Sequence, residues 1–191
     1  MNPKALVHAG AFAAALGLLA GCSFVAPDMR MGAAPAPAHV DATPFTAVER
    51  RFVTRIATRN VYEIEVSKLA QEKALSPPVR DFAQTMVDHD SRMNDELVAI
   101  MSAHGVAPPK GLPADRATKL HRLAALPRSD AFDNGYIRVV GIEDHRAAIA
   151  MFEKARREVR DRELRAYIDR SLTILRTHLQ MAQAVAGGMS G

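Results

Sequence analysis

The fold is decided by residues 76–105, which read SPPVRDFAQTMVDHDSRMNDELVAIMSAHG. Apolar side chains recur in this stretch at a helical period. The members of the stripe are Phe82, Met86, Met93, Leu97 and Ile100. Ser76 is suited to cap the helix, Pro77 fits its first position because no N–H is needed there, and His104 and Gly105 mark its end. The stretch therefore predicts a long amphipathic helix with one apolar face to bury.

Comparable stripes predict three further long helices, so the domain is expected to be all-α. Their bounds are about 46–74, 129–160 and 161–186. Thr46 and Glu49 fit a capping box at the start of the first helix, and Asp161 suits the cap of the last. The low aromatic content of 5% also favours helices over sheets. At 1.5 Å per residue each helix would be about 40 Å long.

The connection between the second and third helices, residues 106–128, is long and contains a short predicted helix at 115–126. The short helix adds roughly 18 Å, and the remaining residues reach up to about 40 Å, so the connection can cross the whole bundle. It would then place the start of the third helix beside the start of the second, as in a ferritin-like four-helix bundle. The alternative is a loop folded back on one end of an up-and-down bundle.

The N-terminus has the pattern of a bacterial lipoprotein signal. Lys4 precedes an apolar run over 5–20, which is short for a membrane span, and the run ends in Leu19-Ala20-Gly21-Cys22. This pattern predicts cleavage after residue 21 and lipid attachment to Cys22, the only cysteine of the chain. The alternative is an ordinary secretory signal in which the cysteine is incidental.

The predicted organisation follows from these boundaries. Residues 1–21 form the signal peptide, 22–45 a lipidated cysteine with a flexible Ala- and Pro-rich tether, 46–186 the helical domain and 187–191 a disordered tail. Ser23, rather than Asp, follows Cys22 and permits sorting to the outer membrane. We therefore expect a protein of the bacterial cell envelope, lipid-anchored in the outer membrane and facing the periplasm. The membrane is the partner that the anchor implies, and no protein partner can be named.

Charge and motifs exclude several function classes. The formal net charge is +4, and it falls to +3 when Lys4 is removed with the signal. The densest charged run, 153–165, alternates in sign and is typical of a solvated helix face, so nucleic-acid binding is not expected. No catalytic triad, phosphate loop or acid–base carboxylate pair is recognisable, and we do not expect an enzyme.

One polar residue on the inward face of each long helix forms the candidate site. His89, His145 and His178 lie within the apolar stripes of the second, third and fourth helices, and Glu63 lies within that of the first. All four are near mid-length of their helices, hence at similar depth in the bundle. Buried imidazoles and carboxylates need partners, so the four side chains are expected to converge on each other or on a metal ion.

A single transition-metal ion, zinc, copper or iron, is the cofactor that three histidines and one glutamate could bind. A di-iron centre is not expected, because the residues three before the histidines are Met86, Ile142 and Leu175 instead of glutamates. The alternative is a hydrogen-bonded cluster that only specifies the fold. Asp88 and Asp144 point about 100° away from their neighbouring histidines. The histidines expected to be exposed are His39, His104 and His121.

The helices and motifs over roughly residues 46–186 resemble bacterial envelope proteins, often described as predicted outer-membrane proteins, that carry the ferritin-like domain of unknown function numbered 4142. The matching segments are Asn60-Val61-Tyr62-Glu63-Ile64-Glu65 with Leu69-Ala70, Phe82-Ala83-Gln84-Thr85-Met86-Val87-Asp88-His89 with Asn94 and Leu97, Phe132-Asp133 with Tyr136, Asp144-His145, and Leu175-Arg176-Thr177-His178-Leu179. The resemblance implies a ferritin-like four-helix fold and no established biochemical activity. Thr173 stands where the family pattern leads us to expect proline.

Overall fold

The computed structural model of the 191-residue chain describes residues 43–189. The predicted signal peptide, Cys22, His39 and nearly all of the predicted tether lie outside the described residues. The lipoprotein interpretation therefore stays a prediction from the sequence.

The described chain is helical, and no strand occurs within residues 43–189. Its long helices are α1 (Ala47–Lys73), α2 (Pro77–Ala103) and α6 (Arg162–Gly188), and the connection between the second and third long helices holds α3 (Ala114–Ala125). The third long helix consists of α4 (Asp130–Tyr136), a π-helical segment (Ile137–Asp144) and α5 (His145–Glu158). The four predicted long helices and the short one are confirmed, whereas the π segment was not predicted.

Thr46, Ser76 and Asp161 all occupy the N-cap positions that the sequence predicts, and two of the three cap their helix with the side chain. The Thr46–Glu49 capping box is present, and the Asp161 carboxylate accepts from Leu164 N at 2.8 Å. Ser76 is the N-cap residue of α2 and Pro77 its first residue, as predicted, but the Ser76 side chain makes no capping hydrogen bond. Pro77 and the proline after it carry no N–H, so few donors remain at this helix start for a serine hydroxyl to satisfy.

The long connection crosses the bundle. Its helix α3 packs against α1, and α4 then begins at the turn between α1 and α2. The Asp133 carboxylate fixes this position, because it accepts from Leu75 N at 3.2 Å and from Ser76 N at 2.7 Å. The third long helix thus starts beside the start of α2, which is ferritin-like connectivity. The predicted crossover is confirmed, and the folded-back alternative is wrong.

A second buried carboxylate ties the opposite end of the bundle. Glu49 of α1 accepts from Arg160 N and Asp161 N, both at 2.9 Å, in the turn between α5 and α6. Burial raises the pKa of Glu49, but hydrogen bonds from Asp161, Thr46 and Arg160 outweigh it and lower the pKa to about 2. The ionised carboxylate therefore stabilises the fold above its ordinary pKa of 4.5, and this contribution is lost as the pH falls toward 2.

The core is divided into two apolar clusters. One joins the first half of α1, the end of α2, α5 and the first half of α6; the other joins the second half of α1, the start of α2, α4, the π segment and the end of α6. On each long helix a run of polar residues separates the two clusters. The buried members of this polar layer are Arg59, Asn60, Glu63, Asp90, His145 and His178.

Gly141 lets the π segment approach α6 closely. A Cβ atom at this position would lie 2.7 Å from Ala182 Cβ and 3.3 Å from Phe82 Cε1. Because Ala182 Cβ cannot rotate away, we expect Gly141→Ala to lower the free energy of unfolding by about 1–3 kcal/mol in urea denaturation. Gly187→Ala is the control, since a Cβ there meets nothing within 4 Å. Adding Ala182→Gly to Gly141→Ala is expected to recover part of the loss, and no recovery would contradict this packing explanation.

Candidate functional site

Three histidines from three helices form one hydrogen-bonded chain. His89 Nδ1 lies 2.8 Å from His178 Nε2, and His178 Nδ1 lies 3.3 Å from His145 Nε2. The rings of His89 and His178 are stacked, with centroids 5.1 Å apart, whereas His145 meets His178 edge-on at 5.3 Å. The chain ends at Val140 O, which lies 2.9 Å from His145 Nδ1. The prediction that these histidines converge is confirmed by their contacts.

The Val140 carbonyl sets the direction of every hydrogen bond in the chain, because a carbonyl oxygen can only accept. His145 Nδ1 must therefore carry a proton, and in a neutral ring its Nε2 is an acceptor. His178 Nδ1 then donates to His145, and His89 Nδ1 donates to His178 by the same argument. The half-buried His89 consequently keeps a lone pair on Nε2 whenever it is neutral.

Burial keeps the two inner histidines neutral. It lowers the pKa of His145 well below its usual value, and the positive charge of Arg59 and contact with His178 lower it further. Burial lowers the pKa of His178 to about 3, and electrostatic interactions with His89 and Arg59 contribute to this decrease. His145 and His178 are therefore neutral imidazoles at physiological pH.

Glu63 is buried but belongs to a different group. Its Oε1 lies 3.3 Å from Arg59 Nη2 on the same helix, and both side chains are at most 2% exposed. The predicted four-residue set is thus split into a histidine chain and an acid–guanidinium pair. Within residues 43–189, no three His, Cys, Asp or Glu side chains are arranged to hold a metal ion.

The buried group around Glu63 includes two residues, Arg59 and Asp90, that are not among the predicted site residues. Arg59 lies four residues before Glu63, and Asp90 is wholly buried and carries a charge that acts on Arg59. Helical spacing could have predicted both residues. Arg59 lies four residues before Glu63 and therefore on the same face of α1, and Asp90 lies four residues after Met86 and therefore near the apolar stripe of α2. Asp144, predicted to point away from its histidine, pairs with Lys119 of α3.

The two buried acids compete for one guanidinium. Burial raises the pKa of Glu63 to about 8, against the lowering effect of Arg59, and the charges of Asp90 and Asp144 raise it further. Burial likewise raises the pKa of Asp90 to about 6. Near neutral pH the trio therefore holds one guanidinium, one carboxylate and one protonated carboxyl, which makes it neutral as a unit.

The raised pKa of Glu63 predicts that the free energy of unfolding decreases as the pH rises above neutral. A carboxyl whose pKa is raised by folding stabilises the protein below its ordinary pKa of 4.5, and the contribution is lost as the pH rises through about 8. Between about pH 6.5 and about pH 8 the wild type should lose about 2 kcal/mol of unfolding free energy. Glu63→Gln should remove most of this slope in urea titrations, whereas Glu65→Gln, at an exposed position two residues on, should leave it unchanged. A slope that persists in Glu63→Gln would contradict the assignment.

Of the two other described histidines, both predicted to be exposed, one is exposed and one is buried. His121 is exposed, as expected. The prediction that His104 is exposed is wrong, because its ring stacks on Phe45 at 3.8 Å and its Nδ1 lies 2.8 Å from Thr43 O. The end of α2 is covered by the residues that lead into α1, and a helical period carries no information about this contact.

None of the helices within residues 43–189 combines the length and the apolar content required to cross a bilayer.

Comparisons with known proteins agree with the fold. The chain matches the Domain of unknown function (DUF4142) over residues 34–185. A solved structure, the crystal structure of a DUF305 fragment from Deinococcus radiodurans, superposes with a TM-score of 0.66 at 18% sequence identity and covers 76% of this chain and 99% of that one. At that identity the likeness shows the fold alone. No functionally curated protein matches the sequence. Because the family match spans most of the chain, the protein belongs to the DUF4142 family.

Proposed function

We propose that this chain is a non-catalytic, lipid-anchored module of the bacterial envelope, held at the outer membrane and facing the periplasm, whose polar layer locks its bundle in one arrangement. The observation that carries the proposal is the histidine chain, which satisfies its own hydrogen bonds across α2, α6 and α5 and ends on Val140 O. A one-turn slip of any of these helices, about 5.4 Å, would break the chain and leave buried imidazoles without partners.

The lipid anchor is supported by the sequence Leu19-Ala20-Gly21-Cys22 after an apolar run and by the single use of cysteine. Mass spectrometry of the N-terminal peptide tests it directly, and membrane fractionation tests its consequence. Cys22→Ser is expected to give a soluble periplasmic or unprocessed species. Fractionation with membranes that survives carbonate washing unchanged in this variant would overturn the anchor.

A second candidate, binding of a transition-metal ion, is favoured by one distance. His145 Nε2 and His178 Nδ1 are 3.3 Å apart, close to the roughly 3.4 Å between two nitrogens of a tetrahedral zinc site with bonds of about 2.05 Å. The Nδ1–H of His145 on a backbone carbonyl is also the usual support of a ligating histidine. The other two predicted ligands are not directed toward His145 Nε2 and His178 Nδ1. His89 contacts the opposite nitrogen of His178, and Glu63 faces Arg59. Zinc, copper or iron would thus be held by two histidines unless side chains reorient.

Elemental analysis of protein purified from the periplasm separates the two candidates. The fold-locking proposal expects a metal-free wild type whose unfolding free energy is unchanged by a chelator, and a marked loss of stability in His89→Ala/His145→Ala. His121→Ala is the control for removal of an exposed imidazole. Stoichiometric metal that disappears in the double variant would support the metal candidate and overturn the fold-locking proposal.

A further inference from the structure

A basic groove lies between the first turns of α1 and the start of α3. Its volume is about 600 Å³, and its charged lining residues are Arg50, Arg51, Arg55, Arg116 and Asp115. Within residues 43–189 the exposed Arg50, Arg51 and Arg55 form no ion pair with the protein. Four guanidinium groups with one opposing carboxylate give the groove a clear positive charge.

The fourth arginine is held in position by the protein. The guanidinium carbon of Arg116 lies 5.2 Å from the ring centroid of Tyr62, which is buried in α1. Because this contact restrains a flexible side chain, part of the entropic cost of binding an anion at this position is already met. Guanidinium groups bind phosphate oxygens in paired hydrogen bonds, so phosphate-bearing anions match this lining.

An apolar side chain stands next to the basic groove. Val48 is 39% exposed and lines an adjoining depression together with Arg51, Arg55 and Met151. The one basic and one acidic side chain on its other wall, Lys154 and Glu158, lie within ion-pair distance of each other. The start of α1 therefore presents arginines together with an exposed aliphatic group, the combination found where helices rest on anionic lipid surfaces.

We propose that this surface of α1 and α3 docks on the headgroups of anionic phospholipids. The inference rests in part on the lipid anchor proposed above, because residues 23–42 span at most about 70 Å and hold Thr43, four residues before α1, within about that distance of Cys22. Tethering of this kind raises the effective concentration of the domain at the membrane, so a modest intrinsic affinity suffices. The arginines contact lipid phosphates, and Val48 inserts at the edge of the headgroup layer.

Vesicle co-sedimentation of the processed chain, residues 22–191 carrying Cys22→Ser, tests the surface without the lipid and without the apolar run of the signal. Vesicles containing phosphatidylglycerol should bind this protein, with affinity that falls as salt is raised, and vesicles of phosphatidylcholine alone should bind it far less. Arg51→Gln/Arg55→Gln should weaken binding to the anionic vesicles about 30-fold, because each arginine near the surface contributes roughly a five- to sixfold factor. Arg92→Gln/Arg146→Gln is the matched control, since both arginines are exposed, lie outside the groove and change the charge equally.

The outcomes distinguish this inference from the proposed anchor. Equal losses in the two double variants, or equal binding to neutral and anionic vesicles, would overturn the groove as the docking surface. Arg51→Lys/Arg55→Lys should retain most of the affinity, and circular dichroism should show all variants folded because the sites are exposed. Saturable binding of inorganic pyrophosphate at the groove without vesicle binding would overturn the membrane assignment in favour of a soluble anion. An N-terminal peptide without lipid, together with normal vesicle binding, would overturn the proposed anchor but would still support the groove as the docking surface.

Discussion

Arg59→Met is expected to lower the free energy of unfolding at neutral pH by about 3–5 kcal/mol, because it leaves the buried acids Glu63 and Asp90 without the buried guanidinium that opposes their charge. Methionine fills much of the same volume, so the loss is electrostatic in origin. Arg55→Met, one turn earlier at an exposed position, is the control and should change stability by less than about 0.5 kcal/mol. Urea denaturation followed by circular dichroism measures both variants.

A second substitution checks the origin of this loss. When Glu63→Gln is added to Arg59→Met, one ionisable acid is removed, and part of the lost stability should return. The non-additivity of the two changes measures their interaction. An Arg59→Met protein as stable as Arg55→Met would show that the buried guanidinium is not the counter-charge of the polar layer.

Asp133→Ala is expected to cost about 2–5 kcal/mol, because it removes the acceptor for two backbone N–H groups in the turn between α1 and α2. Leu75 N and Ser76 N both donate to this buried carboxylate, and a hydrogen bond to a charged group contributes about 1.5–3 kcal/mol. Asp130→Ala, in the first turn of the same helix but exposed, is the matched control and should have a small effect. Thermal and urea unfolding of the two variants give the comparison.

A local measurement ties the loss to the turn. Amide hydrogen exchange at Ser76 should accelerate strongly in Asp133→Ala, while exchange in the middle of α6 should follow only the global change. Asp133→Asn keeps one side-chain oxygen and should fall between the wild type and the alanine variant. Unchanged exchange at Ser76 would show that the carboxylate does not hold the turn.

The sequence was sufficient for the helices and for the depth of the histidines because both depend on local periodicity. The stripes placed His89, His145 and His178 on inward faces, and the structure brings the three rings together. The length of residues 106–128 also indicated the crossover, since an up-and-down bundle does not need so long a connection.

The partners within the polar layer were harder to predict because they depend on which helices become neighbours. The inward stripe of the first helix and the depth of Glu63 predict that it joins the histidines, yet it faces Arg59 on its own helix. The burial of His104 arises from a contact with Phe45, which is distant in sequence. The π segment before His145 also escaped prediction, because its insertion changes the helical period over only a few residues.

The reciprocal ties at the two ends have a consequence for folding. Glu49 from the first pair of long helices completes the bend of the second pair, and Asp133 from the second pair completes the bend of the first. Each half therefore contains a turn between two helices whose backbone N–H groups find their carboxylate acceptor only when the other half packs against it. Isolated halves of the domain are expected to be marginal, and the whole should assemble in an all-or-none transition in which neither hairpin persists alone.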